Sequence, residues 1–117
     1  MNVTIQSTNG DPVLLRVEGR VSQRDVESND PFVDNLGEDV FSRQLVVDLS
    51  EVASLDSSGV NWLLVAQKQA HEQGGQLVLH SLSPIANNVL KVLNLHTVFK
   101  VAENEADALR MLGGDAQ

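Results

Sequence analysis

From Gln44 to Leu49 the chain reads Gln-Leu-Val-Val-Asp-Leu, a nearly continuous apolar run. Such a run suits a central strand covered on both faces, because a strand with one wet face would alternate apolar and polar residues. The segments around it supply the cover. After Asp56-Ser57-Ser58-Gly59 a long helical stretch runs to about Gln73, and Gly74-Gly75 stops it, as glycine does just past a helix end. Gln76 to His80 reads as the next strand. Ser83-Pro84 then opens a helix, with serine capping and proline at the first helical position. Ile85, Val89, Val92 and Leu93 are its expected buried stripe. Phe99 to Ala102 is a short last strand, and Asn104 caps a terminal helix that Gly113-Gly114 ends.

Upstream, Val3–Gln6 and Val13–Glu18 read as two strands joined by a turn at Asn9-Gly10-Asp11-Pro12, with Gly19 ending the second. Seven of the sixteen acids lie between Glu18 and Asp39. Ser22 to Asp30 reads as an exposed acidic loop. Phe32, Val33, Leu36, Val40 and Phe41 recur at helical spacing and predict a helix from about Asp30 to Ser42, against the cost of Gly37 in its middle. The order is roughly β-β-α-β-α-β-α-β-α. It predicts an α/β fold, a small sheet with helices packed against it, with residues 1–117 as one domain.

Composition narrows the function. With 117 residues, 42 % apolar, the chain can bury a core without staples, and it has no cysteine for a disulfide or a thiolate metal site. A net charge of −8 argues against nucleic acid and anionic membrane, which both need a basic footprint. The N-terminus lacks the basic and apolar regions of a signal peptide, and no apolar run approaches a membrane span. A cytoplasmic location is expected. Met1 and the Gly113-Gly114-Asp115-Ala116-Gln117 tail are expected to be the ends of a complete small protein.

Asp56-Ser57-Ser58-Gly59 falls between a strand and a helix. A serine there meets unpaired backbone N–H groups and the positive end of the helix dipole. A phosphate on its hydroxyl would find hydrogen bonds and add close to two negative charges. Read alone, the tetrapeptide is equally satisfied by Asp56 or Ser57 as a plain helix cap and Gly59 as a turn residue. On the following helix Val60, Leu63, Leu64, Ala66 and Ala70 cluster on one face, with Asn61, Lys68, Gln69 and Glu72 opposite. Val65 falls on the wet face beside the tetrapeptide and Trp62 borders both faces; with Asn61 they are the candidate partner contacts.

Val46-Val47-Asp48-Leu49-Ser50, five residues, then Asp56-Ser57-Ser58-Gly59 resembles the signature of the STAS family, in its anti-sigma factor antagonist form. The Gly74-Gly75 helix end, the strand Gln76 to His80, the Ser83-Pro84 helix start and Val92-Leu93-Asn94-Leu95 before Phe99 match in order. The resemblance implies an α/β fold, a small mixed β-sheet flanked by helices, that works as a phosphorylation-controlled binding module. Ser57 would be phosphorylated by a partner serine kinase, itself the anti-sigma factor. Asp56, Ser58, Gly59 and Asp48 would form the switch loop, with Asp48 hydrogen-bonding the stretch that leads to Ser57. The dephosphorylated form would sequester the anti-sigma factor; ATP would be bound by the partner, with no cofactor held by this chain, and a phosphatase is a further partner. Arg20 to Asp39 departs from the family, where a short Ala-rich helix is usual near the partner-facing loops.

Catalysis is not expected. His71, His80 and His96 are scattered without metal-ligand spacing, and a serine hydrolase would want Gly-x-Ser-x-Gly. A phospho-aspartate receiver would need an acid pair after the first strand, which Val3 to Gly10 lacks. The competing reading is a STAS module that binds constitutively, in a signalling scaffold or a lipid-transport complex.

Overall fold

The computed structural model describes residues 1–7, 12–27 and 29–115, so the turn expected at Asn9 to Pro12 lies largely outside the described residues. β1 (Asn2–Ser7) pairs antiparallel with β2 (Val13–Val21), and β3 (Gln44–Leu55), β4 (Gln76–His80) and β5 (Lys100–Ala102) follow in parallel. The strands lie side by side in sequence order. This gives the expected mixed sheet and decides where the helices go. Each crossover among the parallel strands advances the same way, and right-handed connections then all fall on one face.

That face carries α1 (Gln23–Val26), α2 (Pro31–Leu36), α3 (Ser57–Glu72) and α4 (Pro84–Val92). Its core joins Leu15, Leu45, Val47 and Leu49 to Phe32, Phe41, Leu63, Ala66 and Leu90. α5 (Glu105–Asp115) follows the last strand and covers the other face, packing Ala108 and Leu112 on Val46, Val78 and Ala102. β3 is therefore buried on both sides over Leu45–Leu49, as its unbroken apolar run requires.

Several expectations are corrected. The helix expected from Asp30 to Ser42 is two pieces. Gly37, with φ at 96°, caps α2, and only a 3₁₀ turn, Val40–Ser42, follows. The loop expected from Ser22 to Asp30 contains α1, whose Asp25 carboxylate accepts from both the Ser22 amide and hydroxyl at 3.0 Å. Gly19 does not end β2; at φ 86° it sits where the register with β3 shifts, and the strand continues to Val21. β3 runs six residues beyond Leu49. α5 passes through Gly113-Gly114 to Asp115. On α4 the buried residues are Ala86 and Leu90, whereas Ile85, Val92 and Leu93 are exposed.

The Gly74-Gly75 stop is confirmed and divides into two roles. Gly74, at φ 84°, is the left-handed residue, and the Gly75 amide reaches back to the Ala70 carbonyl at 2.8 Å. Gly75 itself runs so close to the 3₁₀ turn that a Cβ would overlap the carbonyl oxygens of Phe41 and Arg43. Both opposing atoms are backbone and cannot swing aside. Gly75→Ala is thus expected to cost about 2 kcal/mol or more in denaturant unfolding, by forced displacement of a packed segment. Gly74→Ala, which has open space around it, should cost only about 1 kcal/mol from its backbone angle.

Candidate functional site

β3 ends at Leu55, and Asp56 turns the chain into α3. The Asp56 carboxylate serves two helices at once. Oδ1 accepts from the Gly59 amide at 2.9 Å, capping α3, and Oδ2 accepts from the Gln23 amide at 3.0 Å, at the start of α1. The Asp56 amide in turn donates to the Val21 carbonyl at 3.2 Å. The close approach depends on Gly59. A Cβ there would lie 2.7 Å from Leu55 Cδ1 and 2.8 Å from Val21 Cγ1.

Ser57 and Ser58 form the first turn of α3, Ser57 exposed and Ser58 half-buried. They line one end of an open cleft of about 470 Å³ between α3 and the α1–α2 segment. Its other walls are Gln23, Val26, Glu27 and Asp30, with Asn61, Trp62 and Val65 along α3. The expected contacts Asn61 and Val65 are exposed there, Val65 at 39 %. Trp62 is mostly core. Its ring stacks on Phe32 with centroids 4.6 Å apart, and its Nε1 donates to Asp30 Oδ1 at 3.0 Å. The same Asp30 oxygen accepts from the Phe32 amide and caps α2. Trp62 is thus the anchor that holds the acidic segment against α3, with one edge left to the cleft.

Asp48 takes no part in the Asp56–Gly59 turn, and the bond expected into the stretch leading to Ser57 is made near the start of that stretch, to Ser50. Asp48 shares the α5 face with Val46, accepting from the Ser50 amide at 2.8 Å and from Arg16 Nε at 3.3 Å. Register places Arg16, Asp48 and His80 in one row across β2, β3 and β4. His80 is buried; Nδ1 meets the Ser81 hydroxyl at 2.8 Å and Nε2 has no hydrogen-bond partner among the described residues. Burial works to raise the Asp48 carboxyl, yet the Ser50 amide and hydroxyl, Arg16 and His80 hold it below its ordinary value. Burial pushes the His80 imidazole down, against the pull of Asp48 and Glu105. His71 and His96 are exposed elsewhere on the surface.

Sequence reasoning missed the wall made by Gln23, Val26, Glu27 and Asp30. Asp30-Pro31 carries the same cap-then-proline signal as Ser83-Pro84 and marks the start of α2. The spacing of Ser22 and Asp25 marks α1.

A family model described as "Mlab, STAS domain" matches residues 5–103. The chain belongs to the STAS domain family. A STAS-domain containing protein of Pseudomonas aeruginosa is 27 % identical over 99 residues, 84 % of this chain and 95 % of that protein. The anti-sigma F factor antagonist of Paenibacillus polymyxa is 26 % identical over 116 residues, 96 % of this chain and 97 % of that one. Among solved structures, the anti-sigma factor antagonist SpoIIAA in its unphosphorylated form superposes with a TM-score of 0.72 at 19 % identity, covering 97 % of each chain. The five-stranded mixed sheet with its flanking helices is the STAS fold.

Two outcomes follow for this STAS domain. Asp56→Ala removes the caps of two helices and is expected to lower stability by about 2 kcal/mol, with faster hydrogen exchange in α1 and the first turn of α3. For His80, the unfolded chain takes up a proton near pH 6.5 that the buried ring resists. Stability should then be full above that pH and fall as the pH drops below it. Urea midpoints measured from neutral to about pH 5 should show this slope, and His80→Gln should flatten it.

Proposed function

We propose that this STAS domain is a phosphorylation-switched anti-sigma factor antagonist that acts in the cytoplasm. When dephosphorylated it sequesters an anti-sigma factor that is also a serine kinase. The observation that carries the reading is the exposed Ser57 on the first turn of α3, at the mouth of a cleft whose charged lining residues, Glu27 and Asp30, are both acidic. Its similarity to proteins named anti-sigma factor antagonists supports the same partner class.

The chemistry belongs to the partner. ATP held by the kinase gives its γ-phosphate to Ser57 Oγ; the hydroxyl proton leaves and ADP is released. Ser57 is favoured over Ser58 as acceptor because a kinase must reach the hydroxyl, and Ser58 is partly covered. Asp56 already takes the Gly59 amide, so the new dianion cannot be neutralised by that donor. It would stand next to Asp56 in the chain and share the cleft with Glu27 and Asp30, and like charges there would expel a partner seated on Asn61, Val65 and the edge of Trp62. A phosphatase would restore the binding form. A second reading, constitutive binding in a signalling scaffold or a lipid-transport complex, is favoured by the family description, which names Mlab.

The test is to purify the protein from its own cells and read phosphosite and partner by mass spectrometry. Phosphate on Ser57 in the free pool, with unmodified chain bound to a serine-kinase-like protein, is expected. Ser57→Asp should weaken binding to that partner by about tenfold or more while Ser57→Ala preserves it. An unmodified chain in a stable complex with transport or scaffold proteins would decide for the constitutive module.

A further inference from the structure

α1 is the least secured wall of the cleft. It has four residues, none of them buried, and a helix that short does not hold itself together in water. The bonds from the Ser22 amide and hydroxyl to Asp25, and from Gln23 Nε2 to Glu27 at 2.9 Å, lie within the segment and do not fix its place. Its place comes from three ties. Val26 is partly buried against the core, Asp25 lies 3.7 Å from the Met1 ammonium, and the Gln23 amide donates to Asp56 Oδ2 at 3.0 Å. The last of these joins α1 to the turn that carries Ser57.

The two bonds of Asp56 are not equally protected. Oδ1 holds the amide of buried Gly59 in a part-buried setting, whereas Oδ2 meets Gln23 at the exposed surface. A dianion on Ser57, the next residue, repels the Asp56 carboxylate and competes with it as the stronger acceptor. The bond open to solvent is the one that yields. Glu27, at the C-cap of α1, lines the same cleft as Ser57, so the new charge bears on both ends of the helix. The opposing charge on α1 is Arg24, which shares a neighbouring groove with Asp56.

We propose that phosphate on Ser57 releases α1 while leaving α3 capped, so that the switch removes a wall of the cleft as well as adding charge to it. Release carries Val26 and Glu27 away from Trp62 and Val65, and a partner shaped to the closed cleft loses its seat. This rests on Ser57 as the phosphate acceptor and adds a conformational step to that reading.

The test is hydrogen exchange, read amide by amide by NMR, on the full chain with phosphoserine placed at position 57 during translation. It needs neither kinase nor partner, so its failure is distinct from failure of the Ser57 reading. The α1 amides should exchange about tenfold faster than in the unmodified chain, with those of Gly59 and Val60 unchanged. Acrylamide quenching of Trp62, the single tryptophan, should rise in parallel. Gln23→Pro should reproduce that rise without phosphate. Proline has no N–H to give Asp56, yet it suits the first helical position. Ser22, at φ −128° and ψ 172°, already has the extended backbone that a following proline requires. Gln23→Ala keeps the amide and should match the wild type. The proposal is overturned if α1 in the phosphoserine chain exchanges no faster, or exchanges more slowly, as an Arg24 clamp on the phosphate would produce. Equal loosening of the first turn of α3, or Gln23→Ala acting like Gln23→Pro, would also overturn it.

Discussion

The Asp56 carboxylate is the junction on which the functional end of the molecule depends. One side chain closes the N-termini of α1 and α3, using a separate oxygen for each. It can do so because its own amide is held by the Val21 carbonyl and because Gly59 leaves space against Val21 and Leu55. An uncapped helix end here would leave amide groups short of acceptors beside the packed ends of β2 and β3. With the junction made, Ser57 is displayed on the first turn of α3 and the acidic segment is drawn up beside it. Asp30, Trp62 and Phe32 secure the far wall of the cleft.

Strand order divides the molecule's chemistry. Because all crossovers lie on one face, the helices that build the cleft share a core, and among the described residues α5 alone covers the other side. The row Arg16, Asp48 and His80 sits on that second face, where its charges are paired under partial burial. It is a structural feature with an acid-sensitive ring, separate from the proposed switch. Within the helical face there is a further division. The acids gather on the α1–α2 segment beside Ser57, while α4 is acid-free and apolar. One chain therefore offers two surfaces of opposite character, one set among carboxylates and one without them.

Much of this was legible in local sequence. The strands β3 and β4, the caps Asp56, Ser83 and Asn104, and the glycine stop after α3 all rest on rules that operate within a few residues, and all are found. The amphipathic count on α3 correctly separates buried Val60, Leu63, Ala66 and Ala70 from exposed Val65. The same count fails on α4. A wheel shows that Ile85, Val89, Val92 and Leu93 lie together, but not that Val89 packs on the core beside Ala86 and Leu90 while Ile85, Val92 and Leu93 stay exposed. The acidic segment was misread because its helices are four and six residues long, too short for periodicity to outweigh Gly37 and the density of charge.

The sequence by itself determined the alternation of strands and helices, the serine at the head of α3 and the segregation of its charges, since these follow from spacing, capping and composition. Tertiary structure decided what each residue faces. It set Asp48 against Arg16, gave Trp62 to Phe32 and Asp30, and made Asp56 the cap of a second helix 33 residues upstream. Those partners are far apart in the chain. Which distant donor meets a carboxylate depends on how sheet register and helix crossovers fold back, and no local pattern carries that information.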